Sequence, residues 1–174
     1  MIKRTLASKL TSLTQKFQVI TLTGPRQSGK TTLVKATFPS LPYVSLEEPD
    51  IRQVALTDPR GFLSNYIEGA ILDEIQNTPE LFSYIQTIVD NHREAQFILT
   101  GSSNFLLMEK ISQTLAGRTA ILFLLPFSFL ELENGGYTAN QYETLIFRGQ
   151  YPRIYDRDIA PTDFFPAYLQ TYVE

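Results

Sequence analysis

The chain reads FQVITLTGPRQSGKTTLVKATF from Phe17 to Phe38, and this stretch decides the fold. Within it, Gly24-Pro-Arg-Gln-Ser-Gly-Lys-Thr31 matches the phosphate-binding pattern G-x-x-x-x-G-K-[ST] at every fixed position. The alternating, β-branched residues 18–23 predict a strand before the pattern. Apolar residues at helical spacing, stopped by Pro39, predict a helix after it. Strand, glycine-containing loop and helix together predict a site for a nucleoside triphosphate.

Each fixed position of this pattern has a physical role. Gly24 and Gly29 permit backbone angles that a Cβ would forbid, so main-chain N–H groups can close around phosphate oxygens. The Lys30 ammonium is expected to reach the β- and γ-phosphates, and the Thr31 hydroxyl to bind Mg²⁺. The helix that follows points its positive end at the anion. The predicted nucleotide contacts are Gly24, Pro25, Arg26, Gln27, Ser28, Gly29, Lys30, Thr31 and Thr32.

A second segment, Gly69-Ala-Ile-Leu-Asp-Glu-Ile-Gln76, reads as a short apolar strand that ends in two carboxylates. We expect Asp73, at the end of the strand, to hold Mg²⁺, usually through water. Glu74 would polarise the water that attacks the γ-phosphate, because a carboxylate is a proton acceptor at neutral pH. The alternative is that both carboxylates only cap the following turn.

Polar residues follow the next predicted strand, residues 96–100. Ser102, Ser103 and Asn104 follow it after Gly101, and one of them could contact the γ-phosphate and the attacking water together. The sequence does not distinguish which of the three points inward. The alternative is a turn in which these side chains satisfy their own backbone.

Arg118 ends the segment Leu115-Ala-Gly-Arg and precedes the last predicted strand, residues 119–125. An arginine at this place lies away from its own nucleotide in many ATPases of this architecture, but beside that of a neighbouring subunit. There it would act as an arginine finger, which implies a homo-oligomer. The alternative is a surface or intramolecular salt bridge.

The remaining segments are predicted to be mostly helical. Residues 2–16 carry an apolar stripe at helical spacing, and Thr78-Pro-Glu80 is predicted to cap and begin another helix. We divide the chain into an ATPase core, residues 1–132, and a helical extension, residues 133–174. The extension stays amphipathic almost to its last residue, so we expect it to begin a further C-terminal domain.

Composition excludes several classes of protein. The 174 residues are 43% hydrophobic and 19% charged, as in globular proteins. The absence of cysteine excludes disulfides and thiol chemistry, and the presence of only one histidine disfavours a zinc site. A net charge of −3 does not support a strong nucleic-acid binder. No apolar run approaches the ~18 residues of a membrane span, which predicts a cytoplasmic protein without membrane association.

The segments quoted above, together with Leu125-Pro-Phe-Ser128 and Gly149-Gln-Tyr-Pro152, occur in the order found in a known family. The chain resembles a group of bacterial and archaeal AAA+-superfamily ATPases, which are predicted ATPases with a C-terminal domain of unknown function. The resemblance covers nearly the whole chain, and the chain looks like the N-terminal ATPase part.

The resemblance implies an α/β P-loop fold with a five-stranded parallel sheet and helices on both faces. It also implies ATP with Mg²⁺ as ligands, Asp73 and Glu74 as the acidic pair, and a polar sensor near Ser102. One departure is that no separate helical lid with its own arginine sensor is visible in the sequence. Arg153 is a candidate for that arginine.

The leading hypothesis is an ATPase whose hydrolysis switches a conformation or the binding of a protein partner. An ATP-binding switch or scaffold with little turnover is the second hypothesis, and a small-molecule P-loop kinase is the third. Asp-Glu after an apolar strand argues against the kinase, and a GTPase is disfavoured because no Asn-Lys-x-Asp pattern occurs. A role linked to nucleic acid stays open through a further C-terminal domain.

Overall fold

A computed structural model describes residues 2–102, 110–111, 113–137 and 142–172. Its centre is one sheet of five strands in the order β2-β3-β4-β1-β5, and every neighbouring pair is parallel. The strands are β1 (Val19–Gly24), β2 (Tyr43–Ser45), β3 (Gly69–Asp73), β4 (Gln96–Ser102) and β5 (Thr119–Phe123). This arrangement confirms the predicted α/β class and the five-stranded parallel sheet.

Helices connect the strands, as parallel pairing requires. Within the described residues they are α1 (Leu6–Thr14), α2 (Lys30–Thr37), α3 (Pro49–Thr57), α4 (Pro59–Ser64), α5 (Leu81–Asn91), α6 (Phe129–Asn134), α7 (Tyr142–Arg148), α8 (Pro152–Arg157) and α9 (Pro161–Tyr172). A 3₁₀ turn, Ile75–Asn77, lies between β3 and α5. None of these described helices is long and apolar enough to cross a lipid bilayer.

The centre of the sheet is buried on both faces. All six residues of β1 are buried, and successive residues of a strand point to opposite sides. Val19 joins an apolar cluster with α3, α4 and α5, whereas Ile20 and Leu22 join a second cluster with α1 and α2. The two clusters hold β1 between layers of helices and leave its carboxyl end to carry the phosphate loop.

Two predicted helix starts differ from the structure. The first helix begins at Leu6 rather than residue 2, because the Thr5 N–H and hydroxyl both donate to Glu131 Oε1, at 2.7 and 3.0 Å. The prediction that Thr78 caps a helix was wrong. Its hydroxyl donates to the Ile75 carbonyl at 3.5 Å, and α5 begins three residues later, at Leu81.

The strand order brings the ends of β1 and β3 to the same edge of the sheet. β4 lies between these two strands, with Gly24 paired to Ser102 and Leu72 paired to Leu99. Because all strands are parallel, their carboxyl ends meet at one edge, where ligands of open α/β sheets bind. The phosphate loop and the Asp73-Glu74 pair therefore lie on either side of the end of β4.

The residues after β5 form a third apolar cluster. Phe127 and Leu132, from before residue 133, pack with Ile154, Tyr155 and Phe164, from after it. This cluster lies beside the phosphate loop. The domain division at residue 133 stays a prediction.

Candidate nucleotide-binding site

The phosphate loop needs both of its glycines. Gly24 has φ of 150°, and a Cβ on it would collide with the carbonyl oxygen of Leu124 on the neighbouring segment. Gly29, with φ of 90°, is the last residue before α2. Since L-residues rarely adopt such angles, a side chain at either position would deform the loop. The first amides of α2 directly follow this loop, and N–H groups at a helix start have no intrahelical acceptor.

Lys30 lies inside this loop. It is 5% exposed, and its Nζ donates to the carbonyls of Gly24 at 3.0 Å and Pro25 at 2.9 Å. Burial lowers the pKa of Lys30, while the nearby carboxylates of Glu74 and Asp73 oppose that shift. The ammonium is thus held by loop carbonyls and is placed beside both predicted acidic residues.

A hydrogen bond joins the two halves of the predicted site. Thr31 Oγ1, at the start of α2, donates to Asp73 Oδ2 at 2.9 Å. The same carboxylate accepts hydrogen bonds from Tyr43 at 2.8 Å and from the buried Thr100 hydroxyl. Burial, followed by the bond to Asp73, raises the pKa of Tyr43, so its phenol stays a donor.

Glu74 adopts a backbone conformation that is uncommon for a residue with a side chain. Its φ of 59° and ψ of 45° lie in the left-handed region, directly before the 3₁₀ turn. Its Oε2 accepts a hydrogen bond from Gln76 Nε2. The strained backbone and this bond together fix where the carboxylate lies, and strain of this kind is often found at functional sites.

Arg4 ties the outside of the loop to the segment after β5. Its guanidinium donates to the Ser28 carbonyl at 2.8 Å and to the Leu125 carbonyl at 2.5 Å. It also lies 4.8 Å from the centre of the Phe127 ring and 3.3 Å from Glu131 Oε1. The Arg4 and Glu131 side chains are only 9% and 4% exposed. A largely buried ion pair therefore braces the carbonyl face of the phosphate loop.

Replacing Glu131 with glutamine is expected to lower the free energy of unfolding by about 3 kcal/mol at pH 7, because it leaves the Arg4 charge buried without its partner. Burial acts to raise the pKa of Glu131, but hydrogen bonds from Ser128 and Thr5 and the Arg4 charge outweigh it and hold the pKa below its usual value. The contribution is therefore complete above the ordinary glutamate pKa of about 4.3 and is lost as the pH falls through the folded-state value.

Urea denaturation of the wild type and the Glu131→Gln variant between pH 7 and pH 3.5 measures this effect. The exposed neighbour Glu133 provides the matched control, Glu133→Gln, which should follow the wild type. A difference between Glu131→Gln and wild type that does not shrink at low pH would show that the charge of Glu131 has no role in stability.

The C-terminal helices cover the remaining side of the loop. The Tyr168 hydroxyl, on α9, donates to the Arg26 carbonyl at 3.3 Å. The Pro152 ring, at the start of α8, lies 3.6 Å from the point where a Cβ of Gly29 would be. Arg153, the candidate lid arginine, follows Pro152 directly and is exposed. The third apolar cluster thus packs against the phosphate loop.

The structure places the other predicted residues at two ends of the sheet. Ser102 ends β4, opposite Gly24, and so lies at the edge that carries the loop. Ser103 and Asn104 lie outside the described residues. Arg118 lies just before β5, at the amino ends of the strands, where it forms two hydrogen bonds with Asp90, at 2.6 and 2.9 Å. The structure therefore does not bring Arg118 to the loop of its own chain.

Several residues that the sequence analysis did not single out contact this site. They are Arg4, Tyr43, Gln76 and Thr100, together with Glu131, which reaches the site only through Arg4. Only Glu131 carries a local signal, because Ser128-Phe-Leu-Glu131 is a capping-box pattern, which the structure forms at the start of α6. The other contacts join residues that are distant in sequence or belong to different elements.

The residues present fit a nucleotide with Mg²⁺. The Thr31 hydroxyl donates a hydrogen bond to Asp73, which leaves the lone pairs of the hydroxyl oxygen available to a cation. Hydroxyl and carboxylate oxygens are the ligand type that Mg²⁺ prefers. The Lys30 ammonium and the start of α2 supply positive potential for phosphate groups. Thr31 and Asp73 would therefore hold the metal, and the loop would hold the phosphates.

Comparison with known proteins supports the same interpretation. Residues 16–133 match the model of a family described as "AAA domain". Two uncharacterised proteins, from Mycobacterium tuberculosis (strain ATCC 25618 / H37Rv) and Mycobacterium bovis (strain ATCC BAA-935 / AF2122/97), are each 34% identical to the chain over 124 residues. These matches cover 70% of this chain but only 28% of each relative.

A solved structure shares the fold. It is the Walker-type ATPase of Pyrococcus abyssi, with a TM-score of 0.61 and 17% sequence identity, over 87% of this chain and 65% of that chain. The family match spans more than half of this chain, including the phosphate loop and the Asp73-Glu74 pair. The chain therefore belongs to the AAA domain family and carries a P-loop ATPase domain.

Proposed function

We propose that this chain binds ATP with Mg²⁺ and hydrolyses it. The observation that carries the proposal is the Thr31–Asp73 hydrogen bond, which joins the phosphate loop to the acidic pair across the end of β4. Lys30 and Glu74 lie at the same place, close enough for the Glu74 charge to act on Lys30. The proposal places the protein in the cytoplasm, where ATP is supplied.

Each residue has a distinct task in this proposal. The loop amides, the start of α2 and Lys30 bind and orient the phosphates. Thr31 and Asp73 hold Mg²⁺, which when bound neutralises charge on the phosphate oxygens. Glu74 accepts a proton from the attacking water. Among the residues that the structure describes, Ser102 at the carboxyl end of β4 is the candidate for the polar sensor of the γ-phosphate. Asn104 is the alternative.

Turnover and binding measured side by side test this function. We expect Mg²⁺-dependent release of phosphate from ATP, with weaker turnover of GTP, and saturable binding of the same nucleotides. Absence of ATP binding would contradict the assignment of the phosphate loop.

One observation favours the second candidate, an ATP-binding switch with little turnover. The Glu74 carboxylate is engaged by Gln76, so part of its accepting capacity is used before any water arrives. In either case we propose that the nucleotide changes a conformation or the binding of a protein partner. Tight binding with no measurable turnover would favour the switch over the hydrolase.

We also propose that Arg118 acts in trans on the nucleotide of a second copy. Its partly exposed position at the amino ends of the strands, opposite its own loop, supports this proposal. The Arg118→Ala variant should keep nucleotide affinity and lose about 10³-fold or more in turnover, because arginine fingers contribute that much. Mixing it with Glu74→Gln protein should restore part of the turnover, since each variant supplies what the other lacks.

Two controls separate this role from the salt bridge. Asp90→Asn weakens the Arg118–Asp90 pair but keeps the arginine, so its turnover should match that of the wild type. Arg93→Ala removes an exposed arginine near the same edge and should also be neutral. An assembled mixture without restored turnover would exclude action in trans.

A further inference from the structure

The Asp73 carboxylate is held by three hydroxyl groups from three different elements. Oδ2 accepts from Thr31 on α2 at 2.9 Å and from Tyr43 on β2 at 2.8 Å. Oδ1 accepts from Thr100 on β4. A carboxylate offers about four lone-pair positions, so three of them are taken by hydroxyl donors. With the residue only 5% exposed, the carboxylate has little freedom to rotate.

Tyr43, unlike Thr31, belongs to no nucleotide-binding motif. It begins β2, the edge strand next to β3, and pairs with Ile71, two residues before Asp73. Its ring reaches along the strand to the carboxylate. A phenol is protonated at neutral pH, so the hydroxyl can serve Asp73 as a donor throughout the working range.

The Tyr43 ring is itself fixed in place. The Lys35 ammonium, on α2, lies 3.8 Å from the ring centre, a short cation–π contact. The ring also packs against the apolar cluster beneath α1 and α2. The helix that starts at the phosphate loop thus clamps the ring, and the ring in turn directs a hydroxyl at the carboxylate.

We propose that Tyr43 is a positioning residue for the metal: its hydroxyl holds the Asp73 carboxylate in the orientation that receives the Mg²⁺ bound with the nucleotide. The inference rests on the function proposed above, since it assumes a Mg²⁺–nucleotide complex. Partners that orient a metal ligand commonly change metal affinity by 10- to 100-fold when removed. Loss of the Tyr43 hydroxyl should therefore raise the Mg²⁺ concentration needed for nucleotide binding and leave the protein's contacts with the nucleotide itself unchanged.

The Tyr43→Phe variant tests this role, because it keeps the ring and its contact with Lys35 and removes one hydroxyl. Binding of a fluorescent N-methylanthraniloyl ATP is measured first in EDTA and then at increasing MgCl₂. We expect unchanged binding in EDTA and a half-saturating Mg²⁺ concentration raised about 10-fold. ATP turnover at increasing MgCl₂ should shift to the same extent and approach the wild-type maximum.

Two further variants make the test specific. Tyr66→Phe removes the hydroxyl of a partly buried tyrosine on the other face of the sheet and should leave the Mg²⁺ response unchanged. In an Asp73→Asn background, adding Tyr43→Phe should have no further effect, because the carboxylate through which it acts is gone. Thermal unfolding without nucleotide should show that both variants are folded.

The outcomes separate this inference from the proposed function. If the wild type responds to Mg²⁺ and Tyr43→Phe responds identically, the positioning role is wrong while the nucleotide site stands. A further change in the Mg²⁺ response when Tyr43→Phe is added to Asp73→Asn would also overturn the positioning role. If the wild type binds no nucleotide, or binds it without any response to Mg²⁺, the proposed function fails and this inference fails with it.

Discussion

Replacing Lys30 with alanine is expected to weaken ATP binding by at least about 100-fold. The ammonium is the buried positive charge within the loop, and hydrogen bonds to charged groups contribute about 1.5–3 kcal/mol each. The substitution also removes the donor that now holds the carbonyls of Gly24 and Pro25, so the loop loses part of its internal support.

Equilibrium binding of ATP, with and without Mg²⁺, measures the loss. Lys9, an exposed residue on α1, provides the matched control. Lys9→Ala removes the same ammonium group from a residue outside the phosphate loop. Circular dichroism and thermal unfolding should show that both variants are folded. An ATP affinity of Lys30→Ala equal to that of the wild type would contradict the assignment of this lysine to the phosphates.

Replacing Glu74 with glutamine should reduce ATP turnover by about 100- to 10,000-fold while nucleotide affinity is retained. The amide has the shape of the carboxylate but cannot accept a proton. Its oxygen can still accept the hydrogen bond from Gln76, so the local backbone and the position of the side chain should be preserved.

Single-turnover hydrolysis and binding, measured on the same preparation, separate the two effects. Glu47→Gln is the matched control, because Glu47 is an exposed acidic residue after β2. Normal hydrolysis by Glu74→Gln would place the proton acceptor elsewhere. A parallel loss of binding would mean that Glu74 supports the nucleotide site rather than the chemical step.

The phosphate loop and its flanking elements were predictable because the sequence pattern reflects local backbone conformation. The pattern requires glycines where φ is positive, and the structure has such angles at Gly24 and Gly29. The fold around the loop was predictable because the motifs resemble those of a known family, whose parallel sheet the structure confirms. The meeting of Thr31 and Asp73 then follows from parallel strands that end at one edge.

Contacts set by tertiary packing were not predictable from the sequence. Arg4 meets Ser28 and Glu131, and Tyr43 meets Asp73, through the approach of distant segments that no local pattern records. The Thr78 cap shows the opposite case, where a local rule gave a wrong prediction. There the 3₁₀ turn after Glu74 supplies the Ile75 carbonyl, and the threonine hydroxyl donates to it.

The outer wall of the phosphate loop has a consequence for how this domain can vary. Arg4 holds the Ser28 carbonyl, Tyr168 holds the Arg26 carbonyl, and Pro152 abuts Gly29, so the loop is shaped by segments far apart in the chain. Exchange of α8 and α9 between relatives would therefore alter the nucleotide pocket as directly as a change within the glycine pattern. Substitutions in residues 2–5 or in the C-terminal helices are therefore expected to act on the loop, although they lie far from it in the sequence.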